Sequence, residues 1–182
     1  MRATFQLGLV LALMSLPTSA AAQEAAAPRP SEGYVVHVTA PHMYQGREIG
    51  PVHHFCKPIS PEPIIVCQLY DSMDPAAPLS GIEYIVAKSM TRPEVPLGTW
   101  NQNFHDHLVE IATGRVKVLD VSDEEAVAIA ELVATTDGII FHLWPVGDDF
   151  PTGSVVIDQS VGHVPMTAEE YLRSAEEAAG DQ

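Results

Sequence analysis

The chain has 182 residues, 46% of them hydrophobic and 18% charged, which suits one domain with an ordinary buried core and argues against wholesale disorder. Its 24 acidic residues against 9 basic ones give a formal net charge of -15. Phosphate backbones and anionic headgroups are bound through clustered Lys and Arg, so nucleic acid is excluded as the expected partner; the acidity needs no role beyond solubility.

The first residues, MRATFQLGLVLALMSLPTSAAAQ, open on Arg2, run apolar from Phe5 to Leu16 and end in small side chains. Ala20-Ala21-Ala22 has the A-x-A form of a signal-peptidase site. Residues 1–22 are therefore expected to be an export signal cleaved near Ala22, leaving a periplasmic or secreted protein. The apolar run falls short of the ~20 residues a spanning helix needs, and no other segment is apolar enough, so no transmembrane segment is expected in the mature chain. Residues 23–33 have linker composition, with Ala-Ala-Ala-Pro-Arg-Pro inside them. The folded domain is expected over 34–165 and a helical tail over 166–182.

YVVHVTA, from Tyr34, reads as a strand from its β-branched content. Tyr44 to Pro63 reads as turn-rich because of prolines at 51, 58, 61 and 63. Strands follow at Ile64–Tyr70 and Ile82–Lys88, with a proline-broken loop between them. A second proline stretch, Arg92 to Gly98, precedes a predicted strand FHDHLVEI, which Thr113-Gly114 would turn into its hairpin partner RVKVL. Asp123 to Thr135 is the clearest helix, with Ser122 and Glu125 as a capping box and Val127, Ile129, Leu132 and Val133 at helical spacing. The strand IIFHLW is expected to begin after Asp137-Gly138, and SVVI follows as a weaker strand. The tail reads as a capped helix from Thr167, with Glu170 in the box and Gly180 past its end. About six strands and two peripheral helices in irregular order predict an α+β fold with a mostly antiparallel sheet. No glycine-rich phosphate loop and no G-x-S-x-G elbow is present.

Eight histidines, at 37, 42, 53, 54, 105, 107, 142 and 163, are the main chemical signal, because imidazole is the commonest metal ligand and a ready proton carrier near neutral pH. On a strand His105 and His107 share a face and can converge on one ion; Asp106 and Glu110 would face away unless a bulge or turn brings Glu110 in. The other reading is a pair of exposed or core-satisfied histidines. His142 sits between Ile140 and Trp144, as a buried core histidine or a third ligand. Glu83, flanked by Ile82 and Tyr84, has to be paired, metal-bound or at a sheet rim. At most one of His53 and His54 shares a face with Cys56. Cys56 and Cys67, the only cysteines, are most simply a disulfide in an oxidising compartment, against thiolate ligation beside His53 or His54.

Several strings in order, HVTAPHMY, VHHFC, VCQLYDS, LSGIEYIV, HDHLVEIATG and FHLWPVGDDFPTGS, resemble the oil body-associated protein-like family over Val36 to Ile157. Its plant members are associated with seed oil bodies, which implies a lipid or apolar ligand and no defined catalytic residues. This chain departs from them in its export signal. It also departs in the position of Trp100, four residues earlier than the tryptophan that usually precedes the H-x-H.

Two functions follow as expectations. The first is a metal-binding domain, with catalysis at an open position as an option: His105 and His107 as ligands of a divalent transition metal such as zinc, with His142 and either Glu83 or His54 completing the site. H-x-H with a nearby Glu is similar to cupin-type metalloenzymes, but Glu110 is too close to His107 for one strand face, and no later histidine fits the second motif. The second is a non-catalytic lipid-binding or envelope protein with structural histidines. A redox role for the cysteines is disfavoured by the absence of C-x-x-C.

Overall fold

The computed structural model describes residues 29–180; the expected export signal and residues 23–28 of the expected linker lie outside the described residues. Eight strands form one antiparallel sheet: β1 (Val36–Tyr44), β2 (Arg47–Ser60), β3 (Ile64–Tyr70), β4 (Gly81–Ala87), β5 (Phe104–Asp106), β6 (Lys117–Leu119), β7 (Thr136–His142) and β8 (Val156–Asp158). Their order is β5-β7-β4-β3-β2-β1-β6, with β8 also paired to β7. β5 and β8 lie end to end along one edge of β7, β5 on residues 137–139 and β8 on residues 140–142. The sheet curls, so that His42 at the far end of β1 bridges to Ser160 just beyond β8. Five helices lie among the described residues: α1 (Lys88–Glu94), α2 (Leu97–Asn103), α3 (His107–Ala112), α4 (Asp123–Ala134) and α5 (Ala168–Gly180). The α+β class and the antiparallel sheet match the expectation, with eight strands in place of about six and five helices in place of two.

Period-two alternation places Ile65, Cys67 and Leu69 of β3 and Gly81, Glu83 and Ile85 of β4 on the inner face of the curl. There the apolar members meet Val52, Cys56 and Ile140 to form the core. Cys56 and Cys67 are directly opposite each other on β2 and β3, with their sulfurs 1.99 Å apart, at disulfide distance. Thiolate ligation is the reading this pairing does not support. The capping box of α4 forms as read, Ser122 accepting from the Glu125 N–H while Glu125 accepts from the Ser122 N–H. Thr167 and Glu170 make the same reciprocal pair ahead of α5. Among the described residues no helix is long and apolar enough to cross a membrane.

Four local readings are corrected. The segment from Tyr44 to Pro63 is mostly one long strand rather than a string of turns. Pro51 sits beside the bulge where β2 pairs with β1 alone, and Pro58 lies past the end of β1 where β2 pairs with β3 alone. In both places the strand has a neighbour on one side only, where a missing N–H is tolerated. The proline stretch from Arg92 holds the end of α1 and the start of α2. Val95, before Pro96, is driven into extended backbone and ends α1, and Pro96 then stands at the N-cap of α2.

The third correction concerns the H-x-H segment. The strand stops after three residues because the Asp106 carboxylate accepts from the Leu108 N–H and caps α3. Thr113-Gly114 is the end of that helix and not a hairpin turn. Gly114 takes the left-handed conformation, φ 71°, that closes a helix C-terminus, and β6 then pairs with β1. Finally, Asp137 and Gly138 are inside β7 and fully in register with β4 and β5.

Candidate metal centre

Glu83 is the centre of the arrangement. It is 3% exposed on β4, in an inner face otherwise apolar. Three imidazoles from different elements converge on its two oxygens. His105 Nε2 lies 3.2 Å and His107 Nε2 3.3 Å from Oε1, while His54 Nε2 of β2 lies 3.3 Å from Oε2. His42 Nε2, from β1, is 2.9 Å from His54 Nε2. Glu110 completes the group from one turn into α3, its Oε2 3.9 Å from both His105 and His107 Nε2.

The break of strand into helix at Asp106 is what makes this possible. His105 points inward from β5, and His107 points inward from the first position of α3. Glu110, three residues further on, falls on the same helix face as His107. Asp106 between them faces the other way and pairs with Lys88 and Arg92. Gly138 supplies the space. A Cβ there would lie 2.5 Å from Glu83 Oε1 and closer still to the His105 ring. No side chain larger than hydrogen is compatible with the two groups where they stand.

The proton assignments of two rings follow from their partners. His54 Nδ1 is 3.0 Å from the Val52 carbonyl, which can only accept, so Nδ1 carries the hydrogen. His107 Nδ1 is 2.9 Å from Thr136 Oγ1, whose own hydrogen goes to the Val133 carbonyl at 2.6 Å, so again Nδ1 donates. In the neutral rings both Nε2 atoms therefore present lone pairs to the Glu83 carboxylate. Lone pairs against a buried anion repel, unless a proton or a metal cation lies between. Among the described residues His105 Nδ1 and Nε2 and His42 Nδ1 have no hydrogen-bond partner at all.

The titration tendencies agree with a cation-seeking pocket. Burial alone would raise the Glu83 carboxyl, yet the imidazoles of His105, His107 and His54 facing it, once protonated, hold it well below the usual carboxylate range. Burial works to lower His107, but Glu83 and Glu110 overcome it and raise the imidazole. Burial pushes Glu110 up. Burial and the neighbouring His54 push His42 well below the usual imidazole range.

Two sets of three ligand atoms, each set within 4.8 Å, meet the spatial requirement of a metal site: Glu83, His105 and His107, and His42, His54 and Glu83. Of the residues expected from sequence, His105, His107, Glu83 and His54 are thus brought together. His142 is not part of either set; it stands beside the cluster, its ring 5.7 Å from that of His42, on the Gly81 end of β7. His42 and Glu110 complete the cluster but were not among the expected ligands. Asp106 as a helix cap, which would have swung Glu110 inward, was the available signal for one. For His42 no local signal exists. The remaining histidines lie elsewhere: His37 contacts Asp120 and His53, and His163 donates to the Asn101 carbonyl.

A cavity of about 70 Å³ opens beside the cluster, beneath α4. Its lining is mostly aliphatic, with Val38, Ile85, Val118, Ile129 and Val133, and also includes His54, Glu83, His107 and Glu110. An apolar chamber bordered by metal-type ligands can hold a small, mostly apolar group against a bound ion.

No solved structure matches the chain. It is 30% identical over 151 residues to Oil body-associated protein 1B of Arabidopsis thaliana, covering 79% of this chain and 60% of that protein. Against Oil body-associated protein 1A of Zea mays the identity is 32% over 124 residues, covering 64% of this chain and 50% of the relative. Oil body-associated protein 2B of Zea mays is 30% identical over 139 residues, 71% of this chain and 52% of the relative. The chain thus spans little more than half the length of these curated relatives. The family model described as Protein of unknown function (DUF1264) matches residues 29–181, and the chain belongs to that family.

Proposed function

We propose that this domain binds a divalent transition metal at Glu83, His105 and His107, with Glu110 and His54 beside it. The single observation that carries the reading is the placement of hydrogens: Val52 and Thr136 fix the protons of His54 and His107 on Nδ1, aiming two Nε2 lone pairs at one buried carboxylate. Outward-facing hydrogen bonds of this kind orient ligand imidazoles in metal sites generally. The mixed imidazole and carboxylate donor set suits zinc or a related first-row ion better than magnesium or calcium. Three protein ligands and a neighbouring chamber give the open arrangement that metal catalysis uses, with the substrate's apolar part in the cavity.

The test is the metal content of protein purified without chelator, compared with His105→Ala and His107→Ala. Bound metal in the parent, and about one equivalent less in variants that keep its circular dichroism spectrum, is the expected result. Negligible metal in all three would sink the reading.

The aliphatic cavity favours a second reading, a non-catalytic protein that holds a lipid or another apolar molecule, in line with the oil-body names of its relatives. On that reading the alanine variants lose stability rather than metal, and organic extraction of the native protein recovers an apolar ligand. We further propose that the protein is exported through its N-terminal signal, which accords with a disulfide-distance cysteine pair. N-terminal sequencing of the periplasmic form should begin near Gln23; an intact Met1 there would overturn it.

A further inference from the structure

We infer that the centre takes two divalent ions bridged by Glu83, one held by His105 and His107 and the other by His42 and His54. The inference rests on the metal-binding reading above and extends it from one ion to a pair.

The argument begins with the two oxygens of Glu83, which serve different partners: Oε1 faces His105 and His107, and Oε2 faces His54. A carboxylate that turns one oxygen to each of two ligand sets has the geometry of a bridge. Two donors bound to one ion at about 2.1 Å lie roughly 3.0–3.4 Å apart, depending on coordination geometry. Four of the separations lie in or within 0.1 Å of that span: 2.9 Å for His42 with His54, 3.3 Å for His54 with Oε2, and 3.2 and 3.3 Å for His105 and His107 with Oε1; the third separation in each set is within 4.8 Å. Donors on opposite sides of one ion can be no more than about 4.2 Å apart on the same bond length. The five residues do not form a single set even within 4.8 Å; they fall into two sets that share only Glu83. One ion cannot reach them all as they stand, whereas two ions ~3.5–4 Å apart can.

His42 is the residue that a single ion leaves unexplained. It is 1% exposed, and its Nδ1 has no partner among the described residues. Its Nε2 points at an Nε2 of His54 that has no hydrogen to give, because the His54 hydrogen is on Nδ1. With one ion at His105 and His107, the only use His42 Nε2 has is to donate to the His54 lone pair. With a second ion, both Nε2 lone pairs become ligands. A pair sets four positive charges against the two negative charges of Glu83 and Glu110, so the two-ion state calls for an added anionic ligand such as hydroxide to offset the excess.

Cobalt(II) or zinc titration of the full chain, followed by visible absorption and by metal analysis after gel filtration, tests this directly. The parent protein is expected to saturate at two equivalents, in two phases. His42→Ala and the milder His42→Gln are each expected to keep one equivalent and the native circular dichroism spectrum, and His105→Ala likewise one. Saturation of the parent at one equivalent, or two equivalents retained by a folded His42 variant, would overturn the two-ion centre and leave the single-ion reading standing. No binding by the parent would end both.

Discussion

β7 carries two buried polar clusters back to back, and they are built on opposite principles. On one face Asp137, with no exposed surface, accepts from Thr91, from Nε and Nη2 of Arg92, and from the indole N–H of Trp100. All five N–H groups of Arg92 find acceptors, the rest on Asp106, Ser174 and Met166, and its plane stacks 4.4 Å from the Trp100 ring. On the other face, one residue along, Gly138 makes room for Glu83 and the histidines, where ring nitrogens are unpartnered and lone pairs face a carboxylate. The first cluster satisfies itself and holds α1, α2 and α5 to the sheet. The second does not satisfy itself with its own groups. The contrast matters because both faces are buried and polar; only the hydrogen-bond account separates a structural network from a candidate metal site.

The comparison can be broken most forcefully at Asp137. Asp137→Ala leaves the Arg92 guanidinium buried without its main partner, and the expected loss is about 3–5 kcal/mol in a urea melt. A loss under about 1 kcal/mol would mean the first cluster is not structural. Gly138→Ala attacks the other face. A methyl against the His105 ring and Glu83 Oε1 should cost about 1–3 kcal/mol through overpacking and abolish stoichiometric metal binding, as read by metal analysis of the folded variant. Full metal content there would show that the cluster does not depend on this space.

Thr136→Val sharpens the comparison, because it removes the acceptor that orients His107 without touching a ligand. Metal affinity is expected to fall about 10–100-fold in a competition titration, with the disulfide and fold unchanged. Unaltered affinity would remove the case for His107 orientation.

The smallest effect is expected from pH. In metal-free protein His107 is raised above its usual 6.5, so its contribution is present in full below 6.5 and is lost as pH rises through the higher folded value. Glu83 is lowered, so its contribution is present above the ordinary value of 4.5 and is lost only as pH falls through the lower folded value. Metal-free protein should therefore lose stability as pH rises above 6.5, whereas metal-loaded protein should gain, because deprotonated ligands bind the ion more tightly. Parallel thermal melts with and without chelator read the difference, and identical pH trends would contradict it.

Much of the fold could be read locally. The alternation of IIVCQLY and IEYIVAK is a one-dimensional signal and marks β3 and β4, and Ser122 with Glu125 marks the start of α4 to the residue. Misreadings clustered where a residue does a job set by distant neighbours. Asp137-Gly138 reads as lying ahead of the strand, but Asp137 is needed by Arg92 and Gly138 by His105. Thr113-Gly114 resembles a hairpin turn, but it closes a helix that Asp106 starts. Pro51 and Pro58 resemble loop residues, yet they occupy places where β2 has a single neighbour.

For the site, three of the other four expected ligands are gathered around Glu83, and their types were what drew attention to them. His142 was included because it is a histidine on an apolar strand, and only the register of β7 with β4 shows that it lies two residues past Ile140, the partner of Glu83. His42 comes from a strand on the far side of the curl and enters because the sheet bends back on itself.

The sequence by itself determined the period-two strands, the two capped helices, the cysteine pair and the kinds of side chain available for chemistry, since each depends on residues near one another along the chain. Only the tertiary structure decided which histidines meet, which way their protons point and which carboxylate they share. Those properties arise where β1, β2, β4, β5 and α3 converge, and sequence spacing carries no information on distances set by the curl of a sheet.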